Sequence, residues 1–345
     1  GTPFAGDRGH FIAAVEAIND DGVMGVPRDW NQNGWYTIPN PTYTATNGQP
    51  EYLVTPNAAL MQAAAGGLIT NTVLRGTAFG VGGAPYQFNY GAFKPAASAT
   101  TPQTAGPWMV GGGWQDNQFN SAQSLKAEEQ RNGLFTRLSF DLTENTTAFL
   151  QASRNKTETT NITGYQFNQA NVVIRSDNAF IPASVRTALQ ANNIASFTMG
   201  TMNADLPLRL AANERTVQRF VAGLDGKVNL FGSDWRWNAY YQQGKSDSIE
   251  TAKDITNNAR LALAQDAVFR PGTTQIVCRS TLTDPNNGCV PLNRMGVGVV
   301  SKEALAYVLG NPQREQTLEQ RVAAISINGE PFSVAAGPVS LATGI

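Results

Sequence analysis

The feature that most limits what this chain can fold into is a two-residue alternation carried along two long arms between Arg215 and Ser248. On the first arm Phe220, Ala222, Leu224 and Val228 share one face, and Arg219, Asp225 and Lys227 share the other. This is the period of a β-strand whose faces meet different solvents, because successive side chains point to opposite sides. Val217 and Val221 blur the polar side. On the second arm Trp235, Trp237, Ala239 and Tyr241 alternate with Arg236, Asn238, Tyr240 and Gln242. Large aromatics thus open the apolar face just after the turn, at residues 229–234, where a membrane-interface girdle would sit.

A second hairpin of the same design covers residues 130–155, with its turn at Thr143-Glu144-Asn145-Thr146. Leu134, Leu138, Phe140 and Leu142 alternate with Arg137, Ser139 and Asp141, and Thr136 lies among the leucines. On the return arm Ala148, Leu150 and Ala152 oppose Gln151, Ser153 and Asn155, while Phe149 falls on the polar side. An earlier strand, His10 to Ala17, puts Phe11, Ala13, Val15 and Ala17 on one face after an opening turn over Gly1 to Gly9. Later strands are expected at Thr317–Asn328 and around Val339.

Between these arms the alternation stops. Residues 18–128, 156–214 and 249–316 are rich in Gly, Pro and Asn, with short helices expected at Pro182–Ala191, Asn257–Ala267 and Lys302–Leu309. Irregular stretches of such length are uncommon within compact soluble domains. Long and short connections also alternate, which places all the short turns of an up-and-down meander on one rim, as in outer-membrane barrels. The expected fold is therefore all-β: an antiparallel up-and-down transmembrane β-barrel segment of about seven strands with long extracellular loops.

Composition agrees. Only 15% of the 345 residues are charged, against roughly a quarter in average soluble domains, so Asn, Gln, Ser and Thr carry the polarity, as suits a wet lumen. A net charge of -1 and a pI of about 6.0 give no basic footprint for nucleic acid. No run approaches the roughly 20 apolar residues of a spanning helix, but tilted barrel strands need only about 9 to 11 residues each.

Cys278 and Cys289 flank Asp284-Pro285-Asn286-Asn287-Gly288, a turn-forming stretch. A disulfide is expected, stabilising the insert by roughly 3 kcal/mol in an oxidising compartment. With one histidine in the chain, the pair makes a poor zinc site. Other local signals have plain readings. His10 has no nucleophile to serve, Gly80-Val81-Gly82-Gly83 opens no helix and so cradles no phosphate, and Asn19-Asp20-Asp21-Gly22 reads as an Asx-type turn. No metal, cofactor or catalytic residue is expected.

The chain resembles the barrel of the TonB-dependent outer-membrane receptors. The resemblance is carried by GDRGHFIAAVEAINDDGV, RGTAFGVGGAPYQFNYG, RNGLFTRLSFDLTENTTAFLQAS, DAVFRPGTTQIVCRSTLTDPNNGCVPLN and the closing INGEPFSVAAGPVSLATGI, and covers nearly the whole of residues 1–345. It implies an outer-membrane importer of about 22 strands, with a plug in the lumen, a scarce solute as ligand and the TonB complex as energy source. Nothing in the sequence resembles the plug or the TonB-contacting box. Since seven strands leave an open edge that is costly in lipid, the chain reads as an internal stretch of such a barrel. A passive porin-like channel and a secreted β-rich binding or adhesion protein are the alternatives.

Candidate binding residues are the loop aromatics Trp30, Trp35, Tyr36, Trp108, Trp114 and Tyr165, with Tyr43 and Phe167, which could stack on sugar rings or grip apolar ligands. Packing the loops together is the plainer role for any one of them. Arg137, Arg219 and Arg236 share the polar face and are expected to face the lumen and its plug.

Overall fold

The computed structural model describes residues 1–40, 42–91, 107–118 and 121–345. One antiparallel sheet dominates. Its strands, labelled β1 to β8 in chain order, are Thr2–Phe4, Gly9–Asp20, Glu128–Thr143, Thr146–Gly164, Arg209–Leu230, Ser233–Lys253, Gln313–Val334 and Gly337–Gly344. Each pairs with its neighbours in sequence, a pure meander. Among the described residues β1 and β8 are free edges, so the sheet does not close on itself. Among the described residues no helix is long and apolar enough to cross a membrane, which says nothing of strands.

The sheet has eight strands rather than seven. Thr2–Phe4 pairs with β2 in register Thr2↔Phe11, where the sequence suggested only a turn. Three residues are too few to display a period. The long strands also outrun their expected ends: β5 and β7 have 22 residues each and β6 has 21, taking in parts of the second and third stretches read as loop. The reason is physical. Pairing continues where both faces are polar, but the alternation that announces a strand needs two unlike solvents.

Register turns the alternation into rows. On one face Phe11, Leu138, Leu150, Ala222, Tyr241 and Ala323 lie side by side across β2 to β7. The next row toward the short turns contains Phe140, Ala148, Leu224, Ala239 and Ile325. Leu150, Phe220 and Ile325 are each more than half exposed, so none of the described residues covers this apolar face. On β5 the band runs from Phe220 to Val228, roughly 26 Å of strand.

The turn between β5 and β6 is tighter than the six residues expected. Only Phe231 and Gly232 intervene, at φ 55° and 80°. Both are left-handed, as a two-residue type I′ hairpin demands. Asn229 Nδ2 donates to Asp234 Oδ1 across its base at 3.0 Å.

The three long connections are not structureless. A five-stranded sheet joins Asn168–Arg175 and Ser196–Thr201 of the second connection to Leu68–Ile69, Thr77–Phe79 and Pro85–Gln87 of the first. A hydrophobic core lies here: Ile69 and Phe79 meet Ile174, Leu189, Phe197 and Met199, and Met295 enters from the third connection. Helices form at Ala183–Ala191, Asn258–Gln265 and Lys302–Val308, close to their expected spans. The third connection has its own small core of Ala264, Leu292, Ala304 and Val308. Cys278 and Cys289 are joined by a disulfide within it.

Candidate functional site: the polar sheet face and the loop layer

Arg137, Arg219 and Arg236 all lie on the polar face of the sheet, in three different rows. Each has a local role. Arg219 donates through Nε and Nη2 to Gln242 Oε1, at 3.0 and 2.7 Å. Arg137 lies over the Phe149 ring, 4.3 Å from its centroid. Phe149, which breaks the alternation in sequence, is thereby explained. It is 8% exposed and crosses onto Gly223, where an added Cβ would stand 2.5 Å from the ring. A flat ring between a glycine and a guanidinium is sheltered on a face that otherwise prefers polar groups. Arg236 sits opposite Lys227 and Asn328, near the short turns. With Asp141 and Asp225 they line a groove of about 1010 Å³.

The loop aromatics do not form one platform. Trp114 is 8% exposed and packs with Ala59, Met109 and Phe88 in a second core. The rings of Tyr36 and Trp108 pack against each other with centroids 4.9 Å apart and planes tilted by 42°. Trp30 and Trp35 are exposed, at 56% and 48%, and Tyr165 is half-buried. Tyr43 and Phe167 are exposed on the loop layer.

What the sequence did not reveal is a polar hub that ties the second and third connections together. Arg294 is almost wholly buried, yet among the described residues it forms no ion pair with a carboxylate. Its guanidinium donates to Gln265 Oε1 at 2.8 Å, to Asn203 Oδ1 at 3.0 Å and to Asn168 Oδ1. Burial pulls its pKa down to about 10. Nearby, Gln166 donates to the carbonyls of Pro207 and Asp254 and accepts from the Thr256 amide. Asp205, also in the second connection, takes the backbone N–H groups of Gly298, Val299 and Val300 at 2.6, 2.7 and 3.0 Å. No motif marks these positions, because amides in irregular chain carry no period.

A cleft of about 460 Å³ opens between the same two connections, lined by Asp177, Arg186, Gln190, Phe269 and Arg279. Arg279 bridges Asp177 at 2.7 Å and Asp266 at 3.1 Å, and these carboxylates raise its pKa. Cation, acid, amide and aromatic edge together suit a polar ligand with one apolar surface.

No protein-family profile matches the chain, and no curated protein does. Among solved structures, the siderophore receptor PiuA from Acinetobacter baumannii is similar at 12% identity, with a TM-score of 0.28. The match covers 66% of this chain, which spans 29% of that receptor. With agreement that loose, a functional reading has to rest on the sheet and its connections.

Proposed function

We propose that this chain forms the wall and outer loop layer of an outer-membrane β-barrel that actively imports a scarce solute, such as an iron chelate, a vitamin or an oligosaccharide. The observation that carries it is the register. Across β2 to β7 one face is apolar and uncovered and the other polar, while every long connection leaves from the same rim. A sheet with those faces fits lipid on one side and a wet lumen on the other. The folded loop layer would capture the solute, and the polar face would meet the plug of the complete receptor. TonB coupling follows from the family resemblance of the sequence.

The test is uptake by whole cells, given labelled ferric chelates, corrinoids and oligosaccharides in turn. Accumulation of one of them that needs this protein and stops when a protonophore collapses the inner-membrane gradient is the expected result. Accumulation insensitive to the protonophore would select a passive channel instead. Recovery of the protein in the soluble extracellular fraction would sink the barrel reading altogether.

Leu224 lies in the middle of the apolar band, between Ala148 and Ala239. Leu224→Arg is expected to cost roughly 2 to 4 kcal/mol if that band sits in lipid. Much less folded protein should then reach the outer membrane. Gln320→Arg, exposed on the polar face opposite Gly244, is the control and should assemble normally. Equal recovery of both variants would mean that the apolar face meets something other than lipid.

A further inference from the structure

The apolar face is not uniform, and its pattern points to a particular kind of lipid. Alanines occupy neighbouring positions on four strands, Ala148, Ala222, Ala239 and Ala323, between larger side chains such as Leu150 and Leu224. The result is a trough of about 940 Å³ with an almost wholly apolar lining. A flat barrel wall would not have one.

Charge on the same face is ordered along the strands. One row beyond the trough, toward the long connections, Arg321 follows Phe220 and Gln243. In the row after that lie Arg154 and Lys245, with Glu319 at its edge. The next row sets Lys156 and Asp247 together, and acids dominate only beyond it, at Glu158, Glu214 and Glu315. Lys245 pairs with Asp247 at 2.9 Å. Arg154 and Arg321 are exposed and form no ion pair among the described residues. With strands about 4.8 Å apart and rows about 6.7 Å apart, the three cations span roughly 16 Å of surface, within reach of one headgroup.

We propose that this face holds a phosphorylated lipid of the outer leaflet, its acyl chain in the alanine trough and its phosphate between Arg321, Arg154 and Lys245. The inference rests on the barrel reading above. The complementarity lies in position: the cations stand where the apolar band ends, which is headgroup depth, Glu319 alone shares their rows, and the other carboxylates of this face are set back beyond them. Each Lys or Arg at that depth favours an anionic surface. The open trough gives the chain a groove deeper than ordinary annular lipid would find. A second copy of this chain would bring its own cations against these and suits the site less well.

The test uses the full-length protein purified in a non-ionic detergent. Native mass spectrometry and a thermal shift are read with phosphatidylglycerol, with phosphatidylcholine of the same acyl chains, and with inorganic phosphate. Saturable retention of phosphatidylglycerol is expected, at least tenfold tighter than phosphatidylcholine, with no effect of phosphate alone. The triple variant Arg154→Gln, Lys245→Gln, Arg321→Gln should lose that preference. Ala222→Trp, which fills the trough and keeps the cations, should weaken retention of both lipids. Both variants should still insert into phosphatidylcholine vesicles. Equal retention of the two lipids by wild type, with normal insertion, would overturn the lipid site and leave the barrel standing. Failure of the wild type to insert into any vesicle would overturn both. Dimers that lipid does not dissociate would assign the trough to a second copy.

Discussion

Gly200→Ala is expected to unfasten the loop layer while leaving the eight-stranded sheet paired. A Cβ at this position would stand 1.7 Å from the Gln62 carbonyl oxygen and 2.7 Å from the Ala170 nitrogen. Both are backbone atoms, and they are hydrogen-bonded to each other at 3.1 Å. No rotamer change can relieve the collision, so the Ser196–Thr201 strand must withdraw from the first connection. That movement pulls Phe197 and Met199 out of the shared core. A loss of at least about 4 kcal/mol is the consequence, well above the usual effect of one added methyl group. Gly244 in β6 is the control, since the nearest atom to a Cβ added there, the Gln218 carbonyl oxygen, would be 3.9 Å away. Gly244→Ala should stay within about 0.5 kcal/mol of wild type. Hydrogen exchange over residues 62–70, 168–175 and 196–206 reads the difference. Unchanged protection in Gly200→Ala would mean that the two connections do not pack there.

The meander was legible because its middle is amphipathic. In β5 the run from Phe220 to Val228 states strand, face and partner solvent at once, and the pairing Ala222↔Tyr241 follows once the turn is placed. The outer halves of the same strands were illegible for the matching reason. From Asn213 to Thr216 both faces are polar, so the pattern that separates strand from loop is missing. Phe149 shows a related limit. Its lone misfit is a tertiary contact with Arg137 and Gly223, and only the register brings those residues together.

In the connections the sequence offered residue types without arrangement. Cys278 and Cys289 were readable as a pair because turn chemistry lay between them. The helix at Ala183–Ala191 was readable from Val185 and Leu189, four apart and both buried. The sheet that joins two connections was not, since its joining pair, Ile69 and Met199, lies more than a hundred residues apart in sequence and three of its strands are only two or three residues long. Such strands are specified by the core they close over rather than by their own periodicity.

Arg294 shows how firmly that layer is held, and its removal should be among the most damaging changes in the chain. The guanidinium satisfies amide oxygens on Asn168, Asn203 and Gln265, which belong to two different connections. Hydrogen bonds to a charged group contribute about 1.5 to 3 kcal/mol each, and a buried oxygen left alone costs about 1 to 3. Relief of the buried charge offsets part of this, which leaves Arg294→Ala about 4 kcal/mol less stable than wild type. Protease cleavage within residues 166–208 and 254–300 should then accelerate together, because the hub is common to both. The pH response separates charge from packing. In wild type the folded pKa, about 10, lies below the value of an exposed arginine. The unfolded chain therefore holds the extra proton only between those two values, and stability gains from this group only as pH rises through that window. Across pH 6 to 9 the arginine contributes no slope. Arg294→Lys places an ammonium in the same buried position, starting from an ordinary pKa of about 10.4, and burial lowers that toward neutrality. Its loop layer should accordingly gain stability as pH climbs from 7 to 10, while wild type stays flat in the range both share. Parallel profiles for the two proteins would mean that position 294 is not closed to solvent and that the hub holds by shape alone.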